Sequence, residues 1–256
     1  MLKRVAVLCS HRAPGLLYLL NRSADRGVTF DIVCVVTSDE AFAEEVRVER
    51  RGIPTLSHPI RGFTGSRLDY DAETARRIEP FFPDLILTDG YLYLLSEAML
   101  RAYRSRIINL HYADLTRRRP DGAPAFPGVR ALRRSLAAGV SETRATVHLV
   151  DEGVDSGPPL VLSWPFPVSP LVDEMRTLEA LDAFKAYAFA HEQWMMRTVS
   201  GPLMAAALRA IATGRLDLDR VAERPAADVT PWQLDRDGSL APPAPALAHA
   251  DLAVAR

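Results

Sequence analysis

The chain has 256 residues, 48% hydrophobic and 25% charged, with 31 basic against 32 acidic side chains and a formal net charge of −1. These are the proportions of a soluble globular protein and exclude collagen-like, disordered and disulfide-stapled classes. A balanced charge with no basic run longer than three leaves no field to hold nucleic acid. No apolar stretch reaches the ~20 residues of a membrane span, and no signal peptide is read, so a cytoplasmic protein is expected.

Residues 4–9 form a short β-rich run, followed by a turn at Pro14-Gly15 and by Leu16, Leu17, Leu19 and Leu20 at helical spacing. Residues 30–37, dense in β-branched side chains, predict a second strand, and the mixed charge of 40–51 predicts an exposed helix that Gly52 stops. Cys9 and Cys34 lie within these two strands, which points to buried thiols and not to a disulfide or metal pair. A short strand fits 54–57, a helix fits 69–82, and 84–88 (DLILT) reads as a strand buried on both faces. Ser96 is the expected N-cap of the next helix, and 106–110 (RIINL) another buried strand. Strands alternating with helices predict an α/β fold with a mostly parallel twisted sheet and helices on both faces.

The irregular segment 111–128 is longer than compact domains keep without use. Next come a helix at 129–139 stopped by Gly139, then strands at 143–150 and 160–166 around a turn at 151–159, so a hairpin or tight return is expected. From 173 to 214 apolar residues recur every three or four positions, with Gly201-Pro202 predicting two helices or one kinked helix. This helical C-terminal cover carries an apolar stripe that suits an internal core or a homodimer equally. A small hairpin turns at Arg236-Asp237-Gly238, residues 1–240 read as one domain, and 241–256 read as a mobile Ala/Pro-rich tail.

In open α/β sheets ligands sit at the carboxyl ends of the strands, so the residues that follow each strand carry the chemistry. The strand at 106–110 delivers Asn109-Leu110-His111, and the turn Asp151-Glu152-Gly153-Val154-Asp155-Ser156-Gly157-Pro158 supplies acids on a loop bent by two glycines. Either alone is weak. Together, Ile108-Asn109-Leu110-His111, Phe126-Pro127-Gly128 and Thr146-Val147-His148 running into Val150-Asp151-Glu152-Gly153-Val154-Asp155-Ser156-Gly157-Pro158 resemble the signature of the folate-dependent formyltransferases. They lie closest to the glycinamide ribonucleotide formyltransferases, with three blocks agreeing in order, spacing and residue type.

The resemblance implies a Rossmann-like formyltransferase fold, 10-formyltetrahydrofolate as cosubstrate and a small-molecule amine as acceptor. It implies Asn109, His111 and Asp155 as the catalytic trio: Asn109 and a protonated His111 as donors to a developing oxyanion, and Asp155 raising the His111 pKa and helping to move the proton. Tyr91, Leu92, Tyr93, Leu94 and Leu95, with Val150, Asp151, Glu152, Gly153 and Val154, would hold the folate. His148 lies within a strand and reads as a hydrogen-bonded supporting residue. No grouping of His and acids has metal-ligand spacing, so no metal is expected.

Two departures bear on the acceptor. The family's Gly-Ser-rich phosphate loop is replaced by Cys9-Ser10-His11-Arg12-Ala13-Pro14-Gly15, where Pro14 has no N–H to donate. Ser10, His11 and Arg12 remain candidates for contact with the acceptor, which is glycinamide ribonucleotide or a specialised amino sugar or amino acid derivative. The stretch after His111 is lengthened and holds Arg117, Arg118 and Arg119, whose guanidinium groups suit a carboxylate or phosphate. Glu192 is a further candidate, matched to an acidic residue that contacts ribose in the family. The competing readings are a 10-formyltetrahydrofolate hydrolase, whose usual N-terminal regulatory domain is not expected here, and a non-catalytic folate or nucleotide binding module.

Overall fold

The computed structural model describes residues 2–22, 29–49 and 52–242. The alternating segments of the first half build the parallel part of one sheet. Strand β1 (Lys3–Cys9) pairs in parallel with β2 (Phe30–Thr37), which pairs with β3 (Thr55–Ser57); on its other side β1 pairs with β4 (Leu85–Thr88), which pairs with β5 (Ile107–His111). Parallel neighbours need crossover connections. These carry α1 (Leu16–Arg22), α2 (Glu40–Glu49), α3 (Arg67–Ile78) and α4 (Glu97–Ala102).

After β5 the direction changes. Helix α5 (Ala131–Ala137) leads to β6 (Glu142–Thr143) and β7 (Thr146–Leu149), and the chain returns through β8 (Pro159–Leu162) and β9 (Phe166–Pro167). β7 is antiparallel to both β5 and β8, which is the expected return. The strands expected at 143–150 and 160–166 each break in two, where side chains take part of the ladder: the Ser163 amide still donates to the Ala145 carbonyl at 2.9 Å, but Ser163 Oγ accepts from the Ala145 amide at 2.9 Å and Arg144 Nη1 donates to the Ser163 carbonyl at 3.2 Å. β6 and β9 consequently pair apart from the main sheet.

The alternation along β1 sorts its side chains to two faces. Val5, Val7 and Cys9 join a core cluster with residues of α1 and α5, whereas Ala6 and Leu8 face Ile78 of α3 and Met99 of α4. Both thiols are buried, and burial pushes the Cys34 pKa up to about 12.

In the C-terminal third, the break in the helix falls elsewhere than Gly201-Pro202. Helix α6 (Leu171–Thr177) ends where Glu179 takes a left-handed φ of 52°, and α7 (Leu181–Ala212) then runs for 32 residues with Pro202 inside it. Proline there removes one helix hydrogen bond, but Val199, Leu203, Met204 and Ala207 are fully buried around it and hold the helix to the sheet. Gly201 is required by the same packing, since a Cβ there would stand 2.3 Å from Cγ of Tyr18 on α1. α8 (Leu218–Ala222) precedes the hairpin of β10 (Trp232–Leu234) and β11 (Leu240–Ala241). β10 joins β8 in parallel, so the end of the described chain belongs to the main sheet. Ala241 is in β11, and the expected tail from residue 243 onward lies outside the described residues.

Candidate active site

The C-terminal ends of the parallel strands share one edge, where they and the β7–β8 turn bound a cleft of about 400 Å³. Its walls are residues 90–95 after β4, residues 128–132 at the start of α5 and residues 150–155 of the turn, with Arg12, Pro14, Tyr112 and Glu192 completing them. Asn109 and His111 stand two apart on β5 and so project to one side, and antiparallel pairing sets Asn109 opposite His148 of β7. Asp155 reaches them from the turn, in a left-handed conformation at φ 48°. The turn closes tightly: the Gly153 amide and the Ser156 hydroxyl donate to Asp151 Oδ1 at 3.1 and 2.6 Å, and a Cβ on Gly157 would lie 1.9 Å from the Leu149 carbonyl oxygen.

The expected trio therefore converges on one carboxylate. Asp155 Oδ2 accepts from the Gly128 amide at 2.6 Å and lies 3.2 Å from His111 Nδ1. Its Oδ1 accepts from Asn109 Nδ2 at 3.3 Å and lies 3.4 Å from His148 Nε2. Burial works to raise the Asp155 pKa, but the His148 ring, the His111 ring and the Gly128 amide outweigh it and hold the carboxyl well below the usual range. It is ionised at neutral pH.

His111 is in a more balanced position. Burial lowers its pKa below the ordinary imidazole value, and Asp155 and the Phe126 carbonyl only partly restore it. Its Nε2 faces that carbonyl at 2.9 Å while Nδ1 faces Asp155. A neutral ring can satisfy one of these acceptors. The imidazolium satisfies both, so proton uptake completes the network. Asn109 is fixed from behind, because its Oδ1 accepts from the Thr88 hydroxyl at 2.6 Å and this turns the NH₂ group toward Asp155.

All ten residues expected to hold the folate, Tyr91 to Leu95 and Val150 to Val154, line the cleft, as do Arg12 and Glu192. Tyr93, at the position of an Arg in the family signature, packs its ring near Tyr91, and the Arg67 guanidinium lies over the rings of Tyr70, Tyr91 and Tyr93 at 5.0 to 5.7 Å. Five other candidates are not brought to the cleft. Ser10 is buried and props the wall, its Oγ accepting from the Leu92 amide at 3.2 Å and from the Ser38 hydroxyl at 3.0 Å. His11 is exposed outside the cleft. Arg117, Arg118 and Arg119 are engaged within their own loop: Arg117 Nε is 3.6 Å from Asp114, Arg118 Nη1 donates to the Gly122 carbonyl at 2.9 Å, and Arg119 Nη2 is 3.4 Å from Asp121.

Thr88, Asp89 and Tyr112 were not singled out from the sequence. Thr88 and Asp89 were legible as two polar residues ending an apolar strand, at the place where such sheets bind ligands. Asp89 is only 1% exposed, and its Oδ2 accepts from the Gly15 amide at 2.9 Å. Among the described residues no three His, Cys, Asp or Glu side chains are grouped for a metal ion.

The chain is similar to known proteins along most of its length. The formyl transferase family matches residues 3–199. The trifunctional purine biosynthetic protein adenosine-3 of Drosophila melanogaster is 33% identical over 189 residues, which cover 73% of this chain and 13% of that protein. Phosphoribosylglycinamide formyltransferase of Bacillus subtilis is 26% identical, over 71% of this chain and 86% of the relative. Among solved structures, glycinamide ribonucleotide transformylase 1 from Symbiobacterium toebii gives a TM-score of 0.64 at 28% identity, covering 84% of this chain and 90% of the other. This chain thus spans a small part of the trifunctional relative and most of the single-function ones. With the family match running from β1 into α7 and enclosing every segment that contributes to the carboxylate network, the chain belongs to the formyl transferase family.

Proposed function

We propose that the chain transfers a formyl group from 10-formyltetrahydrofolate to an amine acceptor through a tetrahedral intermediate. The observation that carries this reading is the half-buried Asp155 carboxylate surrounded by Asn109, His111, His148 and the Gly128 amide at the mouth of β5. The cleft fits the cosubstrate: Leu92, Leu95, Val150 and Val154 offer apolar walls, and the backbone of 91–95 and 150–153 offers donors and acceptors for the edge of a flat pteridine.

Attack of an amine on the formyl carbon puts negative charge on the formyl oxygen. Asn109 Nδ2 is the donor assigned to it: it faces Asp155 Oδ1 at 3.3 Å and His148 Nε2 at 3.1 Å, so one N–H turns from this network to the oxyanion, and one such donor is worth about 2.7 to 4 kcal/mol of barrier. His111 has both ring nitrogens engaged inside the protein, so in this conformation it contributes as a charge: on taking up a proton it satisfies Asp155 and Phe126 together and sets a cation beside the oxyanion. The new C–N bond forms first, giving the tetrahedral intermediate, and its collapse breaks the bond to the folate nitrogen, while the proton released by the acceptor nitrogen passes by way of Asp155, directly or through water, to the folate nitrogen. No enzyme nucleophile is required, and the buried thiols of Cys9 and Cys34 are held protonated, with pKa values pushed up by burial.

Residues 1–240 are proposed to act as a single domain in the cytoplasm. The joining of β10 and β11 to the main sheet supports one domain, and no helix among the described residues is long and apolar enough to cross a membrane. The test is release of tetrahydrofolate from 10-formyltetrahydrofolate with and without candidate amines. Release that requires an amine and is lost in Asn109→Ala is expected. Release without any amine would establish a hydrolase instead, and no release with any amine would leave a binding module.

A further inference from the structure

The cleft wall at residues 91–95 has an anchorage on the neighbouring helix α3 that the proposed chemistry does not use. Ser66 caps that helix: its hydroxyl accepts from the Asp69 amide at 3.1 Å and Asp69 Oδ2 accepts from the Ser66 amide at 2.9 Å, which fixes the first turn. Arg67, Tyr70 and Asp71, three and four residues apart, share one face of it. Asp71 is fully buried. Its Oδ1 is 2.8 Å from Arg67 Nη2, and its Oδ2 accepts from the Ser96 amide at 2.5 Å. The same Arg67 Nη2 donates to the Tyr91 hydroxyl at 2.8 Å.

One ion pair therefore holds both ends of the wall, Tyr91 through Arg67 and Ser96 through Asp71. Ring faces pack the guanidinium between them, with centroids at 5.0 Å for Tyr70, 5.7 Å for Tyr91 and 5.5 Å for Tyr93. Tyr70 is itself fixed, stacked on His58 at 4.1 Å with its hydroxyl donating to the His58 carbonyl. Arg67 Nε and Nη1 are buried without a hydrogen-bond partner among the described residues, so charge and ring contact, more than hydrogen bonding, keep the guanidinium in place. A buried carboxylate that lost this cation would be uncompensated, which makes the two side chains one unit.

We infer that Arg67 and Asp71 are positioning residues for the cosubstrate, acting through Tyr91 and Ser96 to set the strip of backbone against which the pteridine lies. Neither lines the cleft. The inference rests on the reading of 91–95 as the folate wall and adds what holds that wall in place. Because the pair stands outside the contacts that join Asn109, His111, His148 and Asp155, it governs how tightly the cosubstrate is held and not how fast the formyl group moves.

The experiment uses the full chain as wild type, Arg67→Met, Asp71→Asn, Tyr91→Phe and the double variant Arg67→Met/Tyr91→Phe. In calorimetric titration with tetrahydrofolate, Arg67→Met and Asp71→Asn are each expected to raise Kd about tenfold. The KM for 10-formyltetrahydrofolate should rise alike, with kcat within about twofold of wild type. In the Tyr91→Phe background the loss caused by Arg67→Met should shrink to about threefold or less, since the bond that transmits it is already gone. Additive losses would make Arg67 a direct contact of the cosubstrate and overturn the inference; unchanged affinity in the folded variants, or a loss confined to kcat, does the same. Hydrogen exchange of the unliganded proteins reads the anchorage without any ligand: amides of 91–96 should exchange at least about tenfold faster in Arg67→Met, with those of β5 and β7 unchanged. Equal exchange overturns the inference. A wild type that binds no tetrahydrofolate strikes at the proposed reaction, while the exchange rates still decide the anchorage. Should Asp71→Asn misfold, Arg67→Met and Tyr91→Phe, at partly exposed positions, decide it.

Discussion

Asp155→Asn isolates the charge on which the proposed mechanism turns. The substitution is nearly isosteric, asparagine tolerates the left-handed φ of 48°, and its side-chain carbonyl can still accept from the Gly128 amide. What is lost is a negative charge 3.2 Å from His111 Nδ1, worth about 5 kcal/mol to the imidazolium at an effective dielectric of about 20. Burial already depresses the His111 pKa, so without Asp155 it falls further and the cation becomes inaccessible near neutrality. A kcat loss of about 10²- to 10⁴-fold is expected, the range of a positioned acid–base group. The folate KM, set by the apolar walls, should hardly move. The rate depends on protonated His111, so activity falls as pH rises through its pKa, and in the variant that fall begins at lower pH. Stopped-flow release of tetrahydrofolate across the pH range, with circular dichroism to confirm folding, makes the measurement. A kcat close to wild type with the same pH profile would refute the role given to this carboxylate, as would a loss confined to KM.

Four further outcomes follow from the same contacts. Asn109→Ala should lower kcat by about 10²- to 10³-fold without a matching change in folate dissociation constant, measured by fluorescence titration. Thr88→Val removes the hydroxyl that orients Asn109 and should lower kcat more than it alters KM, with Thr88→Ser restoring most of the rate; equal kinetics in all three proteins would show that Asn109 needs no such restraint. Asp89 has its pKa raised by burial from 3.8 to about 7, so between these values the unfolded chain is ionised while the native carboxyl is protonated, and native stability is lost as pH climbs from one to the other. Urea unfolding should therefore show the wild type losing up to about 4 kcal/mol relative to Asp89→Asn over that window. Gly201→Ala places a Cβ 2.3 Å from the Tyr18 ring and should destabilise the fold by about 1 to 3 kcal/mol in thermal melts, with part of the loss recovered when Tyr18 is also shortened to alanine.

The sequence carried the parallel half of the sheet well because β1, β2, β4 and β5 are largely buried on both faces and read as mostly apolar runs, interrupted only by residues such as Asp31 and Asn109. It carried the C-terminal half less well. Gly201-Pro202 has the local chemistry of a helix break, yet α7 runs through it, because Tyr18 and the sheet supply packing that no local pattern displays. The break at Glu179 had no glycine or proline to announce it. Ser96 illustrates the same limit at the scale of one side chain: it sits at the N-cap of α4 as its type suggests, but its hydroxyl makes no capping bond, and its amide instead donates to Asp71 at 2.5 Å, twenty-five residues away.

For the site, what was legible was residue type at strand ends, and what was not was who satisfies whom. Asn109, His111 and Asp155 are recognisable by order and spacing, but whether an arginine faces a cleft depends on its competing partners. Arg117, Arg118 and Arg119 were plausible ligand contacts until Asp114, the Gly122 carbonyl and Asp121 were found to occupy them. The reverse holds for Asp89. Its sequence neighbourhood shows only a polar residue after an apolar strand, and its meaning comes from the Gly15 amide brought to it from seventy-four residues away by the pairing of β1 with β4. A carboxyl group at that point ties the loop after β4 to the opening of α1 and takes no part in the carboxylate network around Asp155, so the wall of the cleft and the reacting network rest on different residues and can diverge separately.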